Sequence, residues 1–237
     1  MGESATGLRI LEDEIIGCRK CPRLVEYREK VAKEKRRAFR ECTYWGRPVP
    51  GFGDPRAELF ILGLAPAAHG GNRTGRVFTG DRSGDFLYAA LYKAGFANQP
   101  TSLRRSDGLA LKNVFIAAAV RCAPPANKPL PSEILNCRGY LERELALLRP
   151  RVLLALGKIA WDAYLDILKS EGVIASRAKY VFAHGAMAKL PGDGPRLVGV
   201  YHPSQQNTQT GRVTSTMYAV ILTRIQKLLA EPHRASI

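Results

Sequence analysis

The stretch GLAPAAHGGNRTGRVFTGD, residues 63–81, decides how this chain is organised. It follows the apolar run LFIL at 59–62, typical of a buried strand, and precedes an amphipathic run at 83–94 that indicates a helix. The stretch is too rich in glycine to be either element, and a glycine-rich loop between a strand and a helix is where α/β proteins place ligand sites. It lacks GxGxxG and a GKS or GKT ending, so neither a dinucleotide loop nor a nucleoside-triphosphate loop is indicated.

Composition bounds the class of protein. The 237 residues favour one domain spanning 1–237, with two small domains as the alternative, and 46% hydrophobic residues are enough for a core. The formal net charge of +15 favours a polyanionic partner, although a basic surface without a function is the alternative. No apolar run is long enough to span a bilayer. The N-terminal sequence MGESATGLRILEDE lacks the basic segment followed by an apolar segment that is typical of a signal peptide, so we expect a cytoplasmic protein.

Four apolar runs alternate with helical patterns along the chain. The runs predict strands at 59–63, 114–120, 152–156 and 197–201, and residues 180–182 predict a short edge strand. Two further helices are expected before the first strand, at 8–18 and 24–39. Uniformly apolar strands suit a sheet covered on both faces, so the order predicts a doubly wound α/β sandwich.

Polar loops follow three of these strands, at 63–81, 121–128 and 202–212. The carboxyl ends of parallel strands share one edge of a sheet. We therefore expect the three loops to converge on one cleft.

The cysteines indicate a metal site. Cys18 and Cys21 form CRKC, while Cys122 and Cys137 lie far downstream, and Cys42 has no near partner. Four thiolates suit zinc and an iron–sulfur cluster equally by count, and the wide spacing of the second pair favours the cluster slightly. The alternative is a set of ordinary buried cysteines.

Several motifs together resemble the family five, or B-type, uracil-DNA glycosylases. They are the 63–81 stretch, RCAPPANKP at 121–129, the four cysteines named above, and HPSQQNTQTGR at 202–212. The resemblance implies an α/β/α sandwich of three layers with a central four-stranded parallel sheet. It also implies that Cys18, Cys21, Cys122 and Cys137 hold a structural 4Fe-4S cluster.

The resemblance further implies a monofunctional glycosylase that flips a damaged base out of DNA and hydrolyses its N-glycosidic bond. Asp81 matches the carboxylate that positions or activates water, His202 the residue near the base oxygen, and Asn127 a third polar catalytic residue. Phe78 matches the aromatic residue that stacks on the base, with Ala68 and Gly63 in the same base-binding region.

The family acts on uracil, and the resemblance implies that this protein also excises other deaminated bases such as hypoxanthine and xanthine. We expect a monomer acting on double-stranded and single-stranded DNA, with the 202–212 loop entering the minor groove and arginines near phosphates. The expected DNA-binding residues are Arg73, Arg76, Gln205, Gln206, Asn207 and Arg212.

Each role has a plainer alternative. Asp81 lies where a helix N-cap is expected, His202 closes a strand, and Phe78 alone would be read as a core residue. Competing functions are a DNA-binding protein without catalysis, a relative that forms a covalent adduct with DNA, and an iron–sulfur electron carrier.

Overall fold

The computed structural model describes residues 2–232. Within this part, six strands form one sheet in the order β1-β3-β2-β4-β6-β5. The strands are β1 (Phe52–Gly53), β2 (Leu59–Gly63), β3 (Val114–Ala118), β4 (Val152–Leu156), β5 (Met187–Ala188) and β6 (Arg196–Val200).

The four central strands are parallel, as the sequence predicts. β2 pairs with β3 on one side and with β4 on the other, and β4 pairs with β6. The two edge strands β1 and β5 are antiparallel and only two residues long. The predicted edge strand at 180–182 is wrong, because those residues are irregular and β5 occupies that edge instead.

Eight helices accompany the sheet in the described part of the chain. They are α1 (Glu3–Ile16), α2 (Pro22–Glu34), α3 (Gly71–Thr74), α4 (Arg82–Lys93), α5 (Pro131–Leu148), α6 (Lys158–Ser170), α7 (Gln205–Gln209) and α8 (Ser215–Ala230). No helix within residues 2–232 has the length and apolar character needed to cross a membrane.

Alternation along each strand divides the core into two layers. Leu59 and Ile61 of β2 face a cluster that includes residues of α4 and α8, whereas Phe60 and Leu62 face a cluster that includes residues of α5 and α6. Both faces of the sheet are therefore covered by helices. The three-layer α/β/α sandwich is confirmed.

Two helical predictions need correction. The second predicted helix ends at Glu34 rather than at residue 39, and Lys35 has φ of 56°, which breaks the helix inside the basic run KEKRR. The glycine-rich loop, expected to contain no helix, includes the single turn α3, which ends at Gly75 with φ of 76°. A residue without a side chain adopts this left-handed conformation at no steric cost.

Arg76 is buried instead of facing solvent. Only 3% of it is exposed, and its guanidinium donates to Thr79 Oγ1 at 3.1 Å, Ser102 Oγ at 2.8 Å and Asp107 Oδ2 at 2.6 Å. Its burial and these hydrogen bonds give Arg76 a structural role. The expectation that Arg76 also contacts DNA stays a prediction.

The same ion pair orders the segment 99–111, whose polar sequence is typical of a surface excursion. Asp107 also accepts hydrogen bonds from the backbone N–H groups of Leu103, Arg104 and Leu109. Burial raises the pKa of Asp107, but these donors and Arg76 outweigh it, so the pKa lies below its usual range.

Replacing Arg76 should destabilise the fold. Arg76→Ala leaves Asp107 without its buried partner, and we expect the free energy of unfolding to fall by about 3–5 kcal/mol. Urea denaturation followed by circular dichroism measures this. The control is Arg224→Ala, at an exposed position of α8, which should change stability by less than about 0.5 kcal/mol. Equal effects of the two substitutions would contradict a buried ion pair.

Candidate active site

A cleft of about 1050 Å³ opens at the carboxyl edge of the parallel strands. Its walls come from the loops after β2, β3 and β6, so the predicted convergence of these loops is confirmed. The predicted catalytic residues Asp81, Asn127 and His202 all line it, although they come from three separate segments of chain.

Asp81 is the N-cap of α4. Its Oδ1 accepts a hydrogen bond from the backbone N–H of Gly84 at 3.0 Å. Its Oδ2 lies against Gly70, where a Cβ atom would come within 2.0 Å of that oxygen. Burial raises the pKa of the Asp81 carboxyl, and the bond from Gly84 partly opposes the rise. The residue thus caps the helix with one oxygen and presents the other to the cleft.

Phe78 forms an aromatic wall of the cleft in a strained backbone conformation. Its φ is 50°, which is uncommon for a residue with a bulky side chain. Two glycines make room for it, since a Cβ on Gly63 would lie 2.7 Å from the ring and one on Gly84 would lie 1.8 Å from the Phe78 carbonyl oxygen. Strain of this kind persists where the surrounding structure fixes a side chain in one place.

His202 stands beside Phe78, with ring centroids 5.9 Å apart. It follows the end of β6 by two residues, and Asn207 in α7 donates to its backbone carbonyl at 2.8 Å. Burial lowers the pKa of His202 to about 4. The imidazole is therefore neutral near pH 7.

Asn127 and two alanines of the loop at 63–81 complete the lining of the cleft. Asn127 has φ of 56° at the end of the turn Pro125–Asn127 and is exposed at the cleft. Ala67 and Ala68 also line the cleft, and their carbonyls accept hydrogen bonds from the buried Asn72. Their small side chains carry no polar group into the cleft.

His69, whose role the sequence leaves open, also lines the cleft. Its Nδ1 lies 2.9 Å from the Tyr44 hydroxyl, which also accepts from the backbone N–H of Arg36. Burial lowers the pKa of His69, and the nearby Arg36 and Arg73 lower it further. A neutral ring that accepts the Tyr44 proton at Nδ1 carries its own proton on Nε2. No motif in the sequence pointed to this pair.

The remaining predicted DNA-binding residues fall into two groups. Arg73, Gln205 and Gln206 line the cleft, and the Arg73 guanidinium is held 4.1 Å from the centroid of the Phe39 ring. Asn207 instead supports His202, and the Arg212 guanidinium lies over the Tyr201 ring at 4.8 Å. Neither Asn207 nor Arg212 lines the cleft.

Four thiols meet near the N-terminal end of α2. Cys18, Cys21, Cys122 and Cys137 line one small pocket, and they come from the α1–α2 junction, the segment after β3 and α5. All are free, and among residues 2–232 no three or more His, Cys, Asp or Glu side chains form a ready-made metal site.

The surroundings of the thiols nevertheless suit a negatively charged group. The Arg28 guanidinium is 2% exposed, donates to Cys122 Sγ at 3.5 Å, and its Nε has no hydrogen-bond partner. Burial raises the pKa of the Cys122 thiol to about 12, Arg28 lowers it, and the three other cysteines raise it. A thiolate set would satisfy this buried cation.

Cys42 and His184 lie apart from both sites. Cys42 does not line the thiol pocket, in agreement with the sequence analysis. His184 accepts from the backbone N–H of Tyr201 at 3.3 Å and packs near Tyr218, so it supports the sheet edge.

Comparisons with known proteins identify the relatives of this chain. The uracil DNA glycosylase superfamily matches residues 50–226. A protein of Mycobacterium tuberculosis named Type-5 uracil-DNA glycosylase is 54% identical over 213 residues, 89% of this chain and 78% of that protein. Proteins with the same name from Mycobacterium leprae and Thermus thermophilus are 52% and 51% identical over 92% and 90% of this chain, and 94% of each relative is covered.

The protonation state of His202 is testable by NMR. In protein carrying ¹³C-labelled histidine, we expect the His202 ring to titrate near pH 4, below its ordinary value of 6.5. Because the unfolded chain binds this proton more tightly, the stability contributed by neutral His202 is present above pH 6.5 and is lost as the pH falls towards 4. His202→Gln assigns the resonance, and titration near 6.5 would contradict a buried neutral ring.

Proposed function

The chain belongs to the uracil-DNA glycosylase superfamily, and on that premise we propose how its cleft acts. The protein is a uracil-DNA glycosylase, which excises uracil from DNA by hydrolysis and so initiates base excision repair. One observation carries the proposed mechanism: a half-buried carboxylate, a neutral imidazole and an aromatic wall line the same cleft.

Asp81 is proposed to direct the attacking water, and its place in the lining of the cleft supports this. Breaking an N-glycosidic bond leaves positive charge on the sugar, so a nearby carboxylate stabilises that charge and orients the attacking water. Since Oδ1 is engaged by Gly84, Oδ2 is the oxygen proposed to hold the water. Ala67 and Ala68 carry no group that would direct water, which supports Asp81 in this role.

His202 is proposed to stabilise the departing base. Negative charge develops on the base as the bond breaks, and an aligned hydrogen-bond donor lowers the barrier. A neutral imidazole donates without adding a cation beside the positively charged sugar. The low pKa of His202, caused by burial, supports this assignment.

Phe78 and Asn127 are proposed to hold the flipped base. The Phe78 ring offers a stacking surface beside His202, Gly63 gives that ring its space, and Ala68 leaves room at the edge of the pocket. Asn127 offers both a donor and acceptors at the rim. The room left by Ala67 and Ala68 supports excision of larger deaminated bases, such as hypoxanthine and xanthine.

The DNA strand is proposed to lie across Arg73, Gln205 and Gln206. Asn207 and Arg212 belong to the 202–212 loop, which is proposed to enter the minor groove. Arg36 and His69 add donors on the same wall. A base in single-stranded DNA reaches the pocket by the same route, so both kinds of substrate are expected. We propose that the chain acts as one domain and as a monomer in the cytoplasm.

Cys18, Cys21, Cys122 and Cys137 are proposed to hold a 4Fe-4S cluster, with zinc as the alternative. When bound, the group supplies structural cross-linking rather than chemistry at the sugar. Arg28 would balance its charge, and the same residue accepts a bond from Asn72 at 3.2 Å through its backbone carbonyl. Asn72 in turn contacts Ala68 in the cleft loop, so the cysteine region supports the active-site wall.

Substitution of Asp81 separates capping from catalysis. Asn is an equally good N-cap, so Asp81→Asn should keep α4 intact while it reduces single-turnover excision of uracil at least about 100-fold. Asp81→Ala should lose excision similarly and also lower stability by about 1 kcal/mol through the lost cap. Labelled duplexes with one uracil, hypoxanthine or xanthine, treated with alkali, report excision and rank the lesions.

The affinity of each Asp81 variant for uracil-containing DNA provides the control for the excision experiment. Both Asp81 variants should bind uracil-containing DNA almost as tightly as the wild type, because the residue faces the sugar and not the phosphates. If Asp81→Asn excised uracil at the wild-type rate, Asp81 would be a cap alone. Parallel loss of binding and excision would also remove its catalytic role.

The metal content of purified protein tests the cysteine assignment. Anaerobically prepared protein should be brown and contain about four iron and four sulfide ions per chain. Cys122→Ser should lose this content, whereas Cys42→Ser should keep it. Stoichiometric zinc without acid-labile sulfide would contradict the cluster and would show that the four cysteines bind zinc.

A further inference from the structure

One large apolar side chain is left exposed at the mouth of the cleft. Leu103 is 61% exposed and lines the cleft from the segment 99–111. A single exposed leucine is ordinary on a protein surface. Its position distinguishes this one: among the exposed large apolar side chains of residues 2–232, Leu103 alone lines the cleft.

The backbone that carries Leu103 is fixed. Asp107 Oδ2 accepts from the N–H groups of Leu103 at 2.7 Å and Arg104 at 3.2 Å, and the same oxygen binds buried Arg76 at 2.6 Å. The ion pair between Arg76 and Asp107 therefore fixes the backbone of residues 103 and 104. Leu103 projects from a rigid base, so little backbone entropy is lost when the side chain meets a partner.

Two arginines follow Leu103 in the sequence. Arg104 is exposed, and the Arg105 guanidinium stacks over Trp45 at 4.7 Å while pairing with Glu12. An exposed apolar side chain next to arginines suits a polyanion that also has an apolar interior, which is the character of stacked DNA bases.

The 202–212 loop offers no equivalent apolar group to the cleft. The 202–212 loop presents Gln205 and Gln206 to the cleft, and these polar side chains make poor substitutes for a stacked base. A flipped base leaves a gap in the stack, and proteins that distort DNA commonly fill such a gap with an apolar wedge.

We propose that Leu103 is the wedge that enters the base stack when the damaged nucleotide is flipped into the cleft. The proposal rests on the glycosylase function above. It assigns Leu103 to opening duplex DNA, not to the chemistry at the sugar, and it gives the buried Arg76–Asp107 pair the task of holding the wedge in place.

Comparing duplex and single-stranded substrates tests the wedge. Leu103→Ala should lower single-turnover excision of uracil from an A·U duplex by about 10- to 100-fold, because the variant lacks the group that offsets unstacking. Excision from the same single strand should change by less than about twofold, since no duplex has to open. A G·U mismatch should give an intermediate loss.

Two control variants test whether the effect depends on the position of the leucine and on a bulky apolar side chain at that position. Leu135→Ala removes an exposed leucine, 59% exposed, that does not line the cleft, and it should leave both substrates unaffected. Leu103→Phe keeps a bulky apolar tip and should retain duplex excision. Equal losses of Leu103→Ala on both substrates, or no loss on the duplex, would overturn the proposal.

A second measurement follows base opening without excision. In the Asp81→Asn background, the fluorescence of aminopurine placed beside uracil should rise on binding, and adding Leu103→Ala should reduce that rise. An unchanged fluorescence rise would also overturn the wedge. Wild-type protein that excised uracil from neither substrate would instead overturn the glycosylase function and, with it, the premise of the wedge.

Discussion

The ion pair between Arg76 and Asp107 is the constraint on which the cleft depends. Both partners are largely buried, so each would be costly without the other. On one side the pair fixes Thr79, two residues before Asp81, and on the other it fixes the turn that carries Leu103. One buried charge pair thus links the segment that leads to Asp81 with the turn that carries Leu103.

The sheet and the place of the site could be predicted because they follow from local patterns. Five-residue apolar runs such as 59–63 leave no exposed face, which requires helices on both sides, and parallel strands bring their following loops to one edge. Asp81 was recognisable for the same reason, since its N-cap position is a local signal. The expectation that Asp81 is catalytic depends on the resemblance, because capping alone explains a carboxylate at this position.

Residues whose environment is set from far along the chain could not be predicted. Arg76 looked like a phosphate ligand because its carboxylate partner lies 31 positions away, in a segment with the polar composition of a surface loop. His69 gained its partner from Tyr44 in a loop without periodicity. The edge strands β1 and β5 are only two residues long, too short to carry an alternating pattern, so the sequence does not distinguish them from neighbouring irregular stretches.

The contact between Gly70 and Asp81 limits how this site can change during evolution. No side chain fits at position 70, because even a methyl group would overlap the carboxylate oxygen. Variation that changes the pocket must therefore occur at other positions, of which Ala67 and Ala68 also line the cleft and carry small side chains. The first loop thus holds one position that is closed to substitution close in sequence to two that are occupied by alanine.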